Sequence, residues 1–215
     1  KNKTPFNYRG HQMKYFLHRN DIPTSVEIGE SVAIDTETTG LNLVRDRLCL
    51  IQISTGNGEA HLIQINPSQD KAPNFVKILK NKDILKIFHF GRFDIAVLLK
   101  HFEIDIFPVY CTKIASKLAR TSSDKHGLKN LVQDFLSVEI FKLEQTSDWG
   151  KKELTESQLK YAASDVLYLH QLKKHLDTLL IREGRMGIAQ NLFDFLPQLA
   201  SLDLQGWDCN DIFSH

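Results

Sequence analysis

The chain has 215 residues, 42% of them apolar and 25% charged, which suits one globular domain with a sizeable core and excludes a disordered or fibrous protein. A formal net charge of +1 announces no uniformly basic nucleic-acid binder, although a local cluster of acids cancels a basic rim in such a sum. Cys49, Cys111 and Cys209 are far apart and form no Cys-x-x-Cys pair, so neither a disulfide framework nor a zinc site is indicated.

No apolar run approaches membrane-spanning length, and Lys1-Asn2-Lys3-Thr4-Pro5 lacks the apolar core of a signal peptide. The expectation is a cytoplasmic protein without a membrane partner. Residues 1–12 are polar and irregular and read as an extension or appendage, leaving 13–215 as a single domain. Lys14 to His18 reads as a strand, and Pro23 punctuates the stretch after it.

Ser31-Val32-Ala33-Ile34-Asp35-Thr36-Glu37-Thr38-Thr39-Gly40 joins a buried strand to two acids. Their spacing of two points both carboxylates to one face of an extended backbone. Two readings are open: solvated acids at a strand end, or hard oxygen ligands that a divalent ion such as Mg²⁺ or Mn²⁺ neutralises. Beyond the turn at Gly40, Leu48–Ile53 and Ala60–Ile65 are strands joined by the hairpin signal Thr55-Gly56-Asn57-Gly58, giving an antiparallel meander.

Strands and helices then alternate. Helix is predicted over 74–81, with Phe75, Ile78 and Leu79 inward, and strand over 84–88. From Gly91 a helix carries Ile95, Leu98, Leu99 and Phe102 at i, i+3, i+4, i+7 spacing, with Asp94 in its first turn. A strand over 107–110 precedes helices over 112–120 and 127–136, and residues 141–150 form a polar connection. Thr155 and Gln158 are spaced as a capping box, predicting one long helix from Glu156 to about Arg182. Residues 184–215 should add a helix and a tail. This is an α/β pattern, a mixed sheet flanked by helices, with five strands counted from residue 31 onward.

On the predicted long helix Tyr161 and Asp165 are four apart and share a face. Taken singly, a phenol and an acid there are ordinary structural features, and Asp94 is an ordinary first-turn charge. In order, however, Asp35-Thr36-Glu37, Phe88-His89-Phe90-Gly91-Arg92-Phe93-Asp94 and Tyr161-Ala162-Ala163-Ser164-Asp165 resemble the tyrosine-bearing branch of the DEDD 3′–5′ exonucleases. Arg47-Leu48-Cys49-Leu50-Ile51-Gln52, Thr112-Lys113-Ile114-Ala115, His126-Gly127-Leu128-Lys129-Asn130-Leu131 and Ser147-Asp148-Trp149 are similar to the ribonuclease D family in particular, over roughly 30–183.

That resemblance implies a ribonuclease H-like fold with a mixed five-stranded sheet. It implies a metal-dependent exoribonuclease that releases nucleoside 5′-monophosphates from single-stranded RNA 3′ ends in RNA or tRNA processing or turnover. A DNA exonuclease of the same chemistry and a non-catalytic nucleic-acid binder are the alternatives. Asp35, Glu37, Asp94 and Asp165 would hold two Mg²⁺ or Mn²⁺ ions, and Tyr161 would orient the attacking water. Thr36, Thr38, Leu41, His89, Lys113, His126 and Lys129 are the expected substrate contacts, with Leu41 either a wedge against the terminal base or a core leucine. Lys113, Lys117, Arg120, Lys125 and Lys129 form either a phosphate-binding rim or a solvated helix face. Trp149 reads as a packing residue. The resemblance implies the short form of the family, without the helical RNA-binding domains that follow the catalytic domain in longer members.

Overall fold

The structure, a computed structural model, describes residues 13–69, 71–140, 147–207 and 212. Its framework is a sheet of β1 (Lys14–Arg19), β2 (Ser31–Thr38), β3 (Leu48–Ser54), β4 (Glu59–Gln64), β5 (Leu85–Phe88) and β6 (Val109–Cys111). The order across the sheet is β1-β4-β3-β2-β5-β6. The meander is borne out: β3 runs antiparallel to both β2 and β4. All other pairings are parallel.

The sheet therefore has six strands rather than five. The additional one is β1, which pairs in parallel with β4 from Lys14↔Glu59 to Arg19↔Gln64. Lys14 to His18 is readable as a strand in the sequence, but its place in the sheet is not, because its parallel partner arrives only after two intervening strands.

Burial follows each strand's position. Every residue of β3 is buried, as its unbroken Leu-Cys-Leu-Ile-Gln-Ile run requires of a strand covered on both faces. The β3–β4 turn uses the two glycines the hairpin signal called for, Gly56 (φ 82°) and Gly58 (φ 86°), backbone that L side chains avoid. Ser54 Oγ closes the turn, donating to the Glu59 carbonyl at 2.7 Å.

Helices α1 (Pro73–Lys80), α2 (Arg92–Phe102), α3 (Thr112–Ala119) and α4 (Leu128–Leu136) match the predicted segments. The capping box also forms: Thr155 Oγ1 accepts from the Gln158 amide (3.2 Å) and Gln158 Oε1 from the Thr155 amide (2.9 Å). The long helix it opens is instead two, α5 (Glu156–Leu167) and α6 (Leu169–Arg182), broken at Tyr168. No glycine or proline marks the break; the packing partners change there, because α5 lies on β2, β3 and β4 while α6 packs on α3 and α4. The tail forms α7 (Met186–Leu202), with Phe193 and Leu196 buried, then a wide turn over Asp203–Trp207. Cys209 and residues 141–146 of the predicted connection lie outside the described residues.

Two consequences position the site. β2 and β5 are parallel neighbours, so both end at the same edge of the sheet, the edge where open α/β sheets place ligands. α5 crosses β2, β3 and β4, which brings its own side chains to that edge.

Candidate active site

Asp35 and Glu37 stand on one face near the end of β2, opposite Gln52 and Leu50 of β3. α5 lays Asp165 over them. Carboxylate oxygens of Asp35, Glu37 and Asp165 all lie within 4.8 Å of one another, and all three residues are half-buried. Tyr161, one turn before Asp165, rests its ring on Trp149, with centroids 6.0 Å apart.

Asp94 reaches the cluster from the opposite side. Thr36 points away from Asp35 and Glu37 by strand alternation, and Asp94 Oδ1 accepts from both its amide (3.1 Å) and its hydroxyl (2.6 Å). Three of the four expected ligands thus converge directly, and the fourth is anchored beside them.

The electrostatics show what the cluster is suited to hold. Burial, then Asp94, Asp165 and Glu37, push the Asp35 carboxyl well above the ordinary carboxylate range. Burial, then Asp165 and Asp94, push Glu37 up to about 9. Asp94 rises to about 6 through burial, held down in part by the Thr36 hydrogen bonds. Acids so placed stay protonated or take up a cation. Closely spaced hard oxygen donors suit Mg²⁺ or Mn²⁺, so the residues present fit the divalent ion that the resemblance implies. Burial and the neighbouring acids Asp165, Glu37 and Asp35 also raise the Tyr161 phenol. Beside acids that carry no cation, the hydroxyl keeps its proton and is placed to act as a hydrogen-bond donor.

The expected substrate contacts have varied surroundings. Thr36 is buried and engaged with Asp94, and Thr38 donates to the Gly40 carbonyl. Leu41 is 84% exposed. His89 Nδ1 lies 2.8 Å from Thr112 Oγ1, which ties the β5–α2 loop to the start of α3. Lys113 Nζ sits 3.6 Å from the centroid of the Phe90 ring. His126 Nδ1 is 2.9 Å from Ser116 Oγ, its pKa lowered by burial, Arg120 and Lys117. Lys129 is exposed on α4.

Trp149 is the packing residue expected, 3% exposed. It also walls a cavity of about 630 Å³ that carries Arg19, Arg47, Lys151 and Lys152. Gln64 builds the cavity by accepting from Arg19 and donating to the Lys151 carbonyl at 2.8 Å. The Lys151-Lys152 pair was the signal for it in the sequence, but Arg19 and Arg47 arrive from distant strands. A second connection missed by sequence reasoning is the paired hydrogen bonding of Arg92 to Asp203 (2.6 and 2.5 Å), which ties the start of α2 to the turn after α7.

Comparison with known proteins places this geometry in a family. A family model described as 3′–5′ exonuclease matches residues 19–181. Ribonuclease D of Zymomonas mobilis is 36% identical over 154 residues, which cover 72% of this chain and 39% of that protein; the chain thus spans about two fifths of the length of the curated relatives it matches. The solved structure of Brucella melitensis NrnC is 54% identical, with a TM-score of 0.91, covering 95% of this chain and all of that one. That protein has also been solved with bound Mg²⁺ and bound to pGG. Escherichia coli RNase D is 28% identical, with a TM-score of 0.70, over 80% of this chain and 45% of that one. With its acids and tyrosine on the elements described, the chain belongs to the 3′–5′ exonuclease family, among the proteins similar to ribonuclease D.

Proposed function

We propose that this chain hydrolyses single-stranded RNA from the 3′ end and releases nucleoside 5′-monophosphates. The observation that carries the reading is the convergence of Asp35, Glu37 and Asp165 within 4.8 Å, with Tyr161 one helical turn away. Two divalent ions would be held by these three acids together with Asp94. Bound there, they would supply Lewis-acid stabilisation of the phosphoryl oxygens and a more acidic attacking water.

The chain's own groups do the rest. The Tyr161 hydroxyl orients the attacking water in line with the scissile bond. Thr36 keeps the Asp94 carboxylate aimed at the cluster. Attack of the water at phosphorus, with its proton passing to solvent, breaks the bond to the 3′-oxygen of the preceding nucleotide, which takes up a proton from solvent and leaves as a hydroxyl.

RNA is favoured over DNA because the curated relatives include ribonuclease D, and the pGG bound to NrnC makes short oligonucleotides the substrates to try first. Residues 13–215 would act as one exonuclease domain, with 1–12 as an extension. No helix among the described residues is long and apolar enough to cross a membrane, in keeping with a cytoplasmic role in RNA processing or turnover.

The test uses 5′-labelled RNA and DNA of one sequence, from two to twenty nucleotides, with Mg²⁺, Mn²⁺ or EDTA. A ladder shortening from the RNA 3′ end, absent in EDTA and weaker on DNA, is expected. Equal ladders would overturn the RNA preference, and no shortening in either metal would overturn the reading itself.

A further inference from the structure

Phe90 sits in the β5–α2 loop, where its amide and that of Gly91 turn toward the Cys111 thiol; that contact serves the backbone and leaves the exposure of the side chain unexplained. Its φ is +60°, a left-handed value that is a true outlier for a bulky residue, and its ring is 56% exposed. A strained backbone and an unburied aromatic ring both oppose folding. The tight approach in this loop belongs to the next residue, Gly91, where an added Cβ would come within 2.4 Å of Phe88 Cβ.

What holds Phe90 out is Lys113, whose ammonium lies 3.6 Å from the ring centroid. The hydrogen bond between His89 and Thr112, each a direct neighbour of one of these two residues, pins the loops together. The outcome is a flat ring fixed toward solvent four residues before Asp94.

The order of strands gives the ring a place along a nucleic-acid strand. The acids lie at the end of β2, Phe90 follows β5, and Lys113 follows β6, and these are consecutive neighbours in the sheet, about 4.8 Å apart per strand. In the order of the strands come the acids, then an aromatic residue, then the lysine that sits against its ring. On a substrate, that sequence is scissile phosphate, base, next phosphate. It exists only on the 5′ side of the scissile bond, because the 3′-terminal nucleotide carries no phosphate beyond its base.

We propose that Phe90 is the stacking platform for the nucleobase immediately 5′ of the scissile bond, with Lys113 fixing the ring and facing the phosphate that precedes that base. The proposal rests on the exonuclease reading above and adds to it a subsite for a base of any identity, since every base offers a π face.

The test is a two-by-two comparison of steady-state cleavage: Phe90 against Phe90→Leu, and intact RNA against RNA with an abasic nucleotide just 5′ of the scissile bond. Phe90→Leu keeps an apolar side chain and removes the flat face. On intact RNA it should raise KM about tenfold or more while kcat changes little. The abasic nucleotide should cost the native protein a similar factor and cost Phe90→Leu almost nothing further. Phe90→Trp should restore KM, and all variants should melt with the native protein. Unchanged KM in Phe90→Leu, or equal losses on intact and abasic RNA, overturns the platform while leaving the exonuclease reading intact. If the loss appears only when the terminal nucleotide is the abasic one, the placement is wrong. A native protein that shortens no RNA refutes the exonuclease reading, and the platform falls with it.

Discussion

Glu37→Gln should make the metal-free protein more stable while removing its response to metal. The Glu37 carboxyl is pushed up to about 9 from 4.5, chiefly by burial and then by Asp165 and Asp94. Because the folded state holds this proton more tightly than the unfolded chain does, its contribution to stability is complete below about pH 4.5 and is lost as pH rises toward 9. At pH 8 the span of 3.5 units would correspond to about 5 kcal/mol at ~1.4 kcal/mol per unit. Water at this half-buried site, and coupling to the neighbouring acids, reduce the effect to about 2 kcal/mol. Gln has the same shape and no charge, so that cost disappears. For a chain of this size the gain is ~4–8 °C in Tm. Melts monitored by circular dichroism in EDTA at pH 5 and pH 8 check it: the gain should appear at pH 8 and nearly vanish at pH 5. Adding Mg²⁺ should raise the native Tm at pH 8 and leave the variant's unchanged. A variant no more stable than the native protein in EDTA at pH 8, or equally stabilised at both pH values, would refute the electrostatic reasoning.

Tyr161→Phe keeps the ring on Trp149 and deletes only the hydroxyl; turnover should fall about 100-fold or more, with the Mg²⁺-induced rise in Tm retained. A parallel loss of that rise would make Tyr161 part of the metal site. Thr36→Val removes the 2.6 Å donor to Asp94 and keeps the amide, so kcat/KM should drop about tenfold, the ~1.4 kcal/mol expected when a carboxylate loses a good hydrogen bond; kinetics on a short RNA decide it, and unchanged values would show that Asp94 needs no orienting. Asp203→Asn breaks a pair whose acid side chain is only 6% exposed and should cost about 2 kcal/mol, seen as a ~4–8 °C lower Tm. An unchanged Tm would mean that the turn after α7 is held by its apolar contacts alone.

The parts of this molecule that were legible in the sequence are those specified by local patterns. Alternation on β2 told which face Asp35 and Glu37 share, the four-residue step told the same for Tyr161 and Asp165, and the capping box named the first turn of α5. Each depends on a period that the backbone imposes whatever surrounds it. The break at Tyr168 was not legible, because Val166, Leu167, Leu169 and His170 are all compatible with helix. The chain turns there because α5 must lie on the sheet and α6 on α3 and α4, which is tertiary packing overriding propensity.

For the site, sequence order and the resemblance name the four acids without saying from which side of the strand each one comes. Thr36 is among the expected substrate contacts, and only the packing of α2 shows that Asp94 meets it. Phe90 is the extreme case, since sequence gives a phenylalanine between His89 and Gly91 no special role until its positive φ and its exposure are seen together. Cluster and ring share a physical signature, a local arrangement that folding alone would disfavour and the surrounding structure maintains. For the acids the fitting counterpart is a cation. For the ring it is a flat apolar surface, and the lysine that sits against it, next in the order of the strands, makes that surface a nucleobase followed by a phosphate.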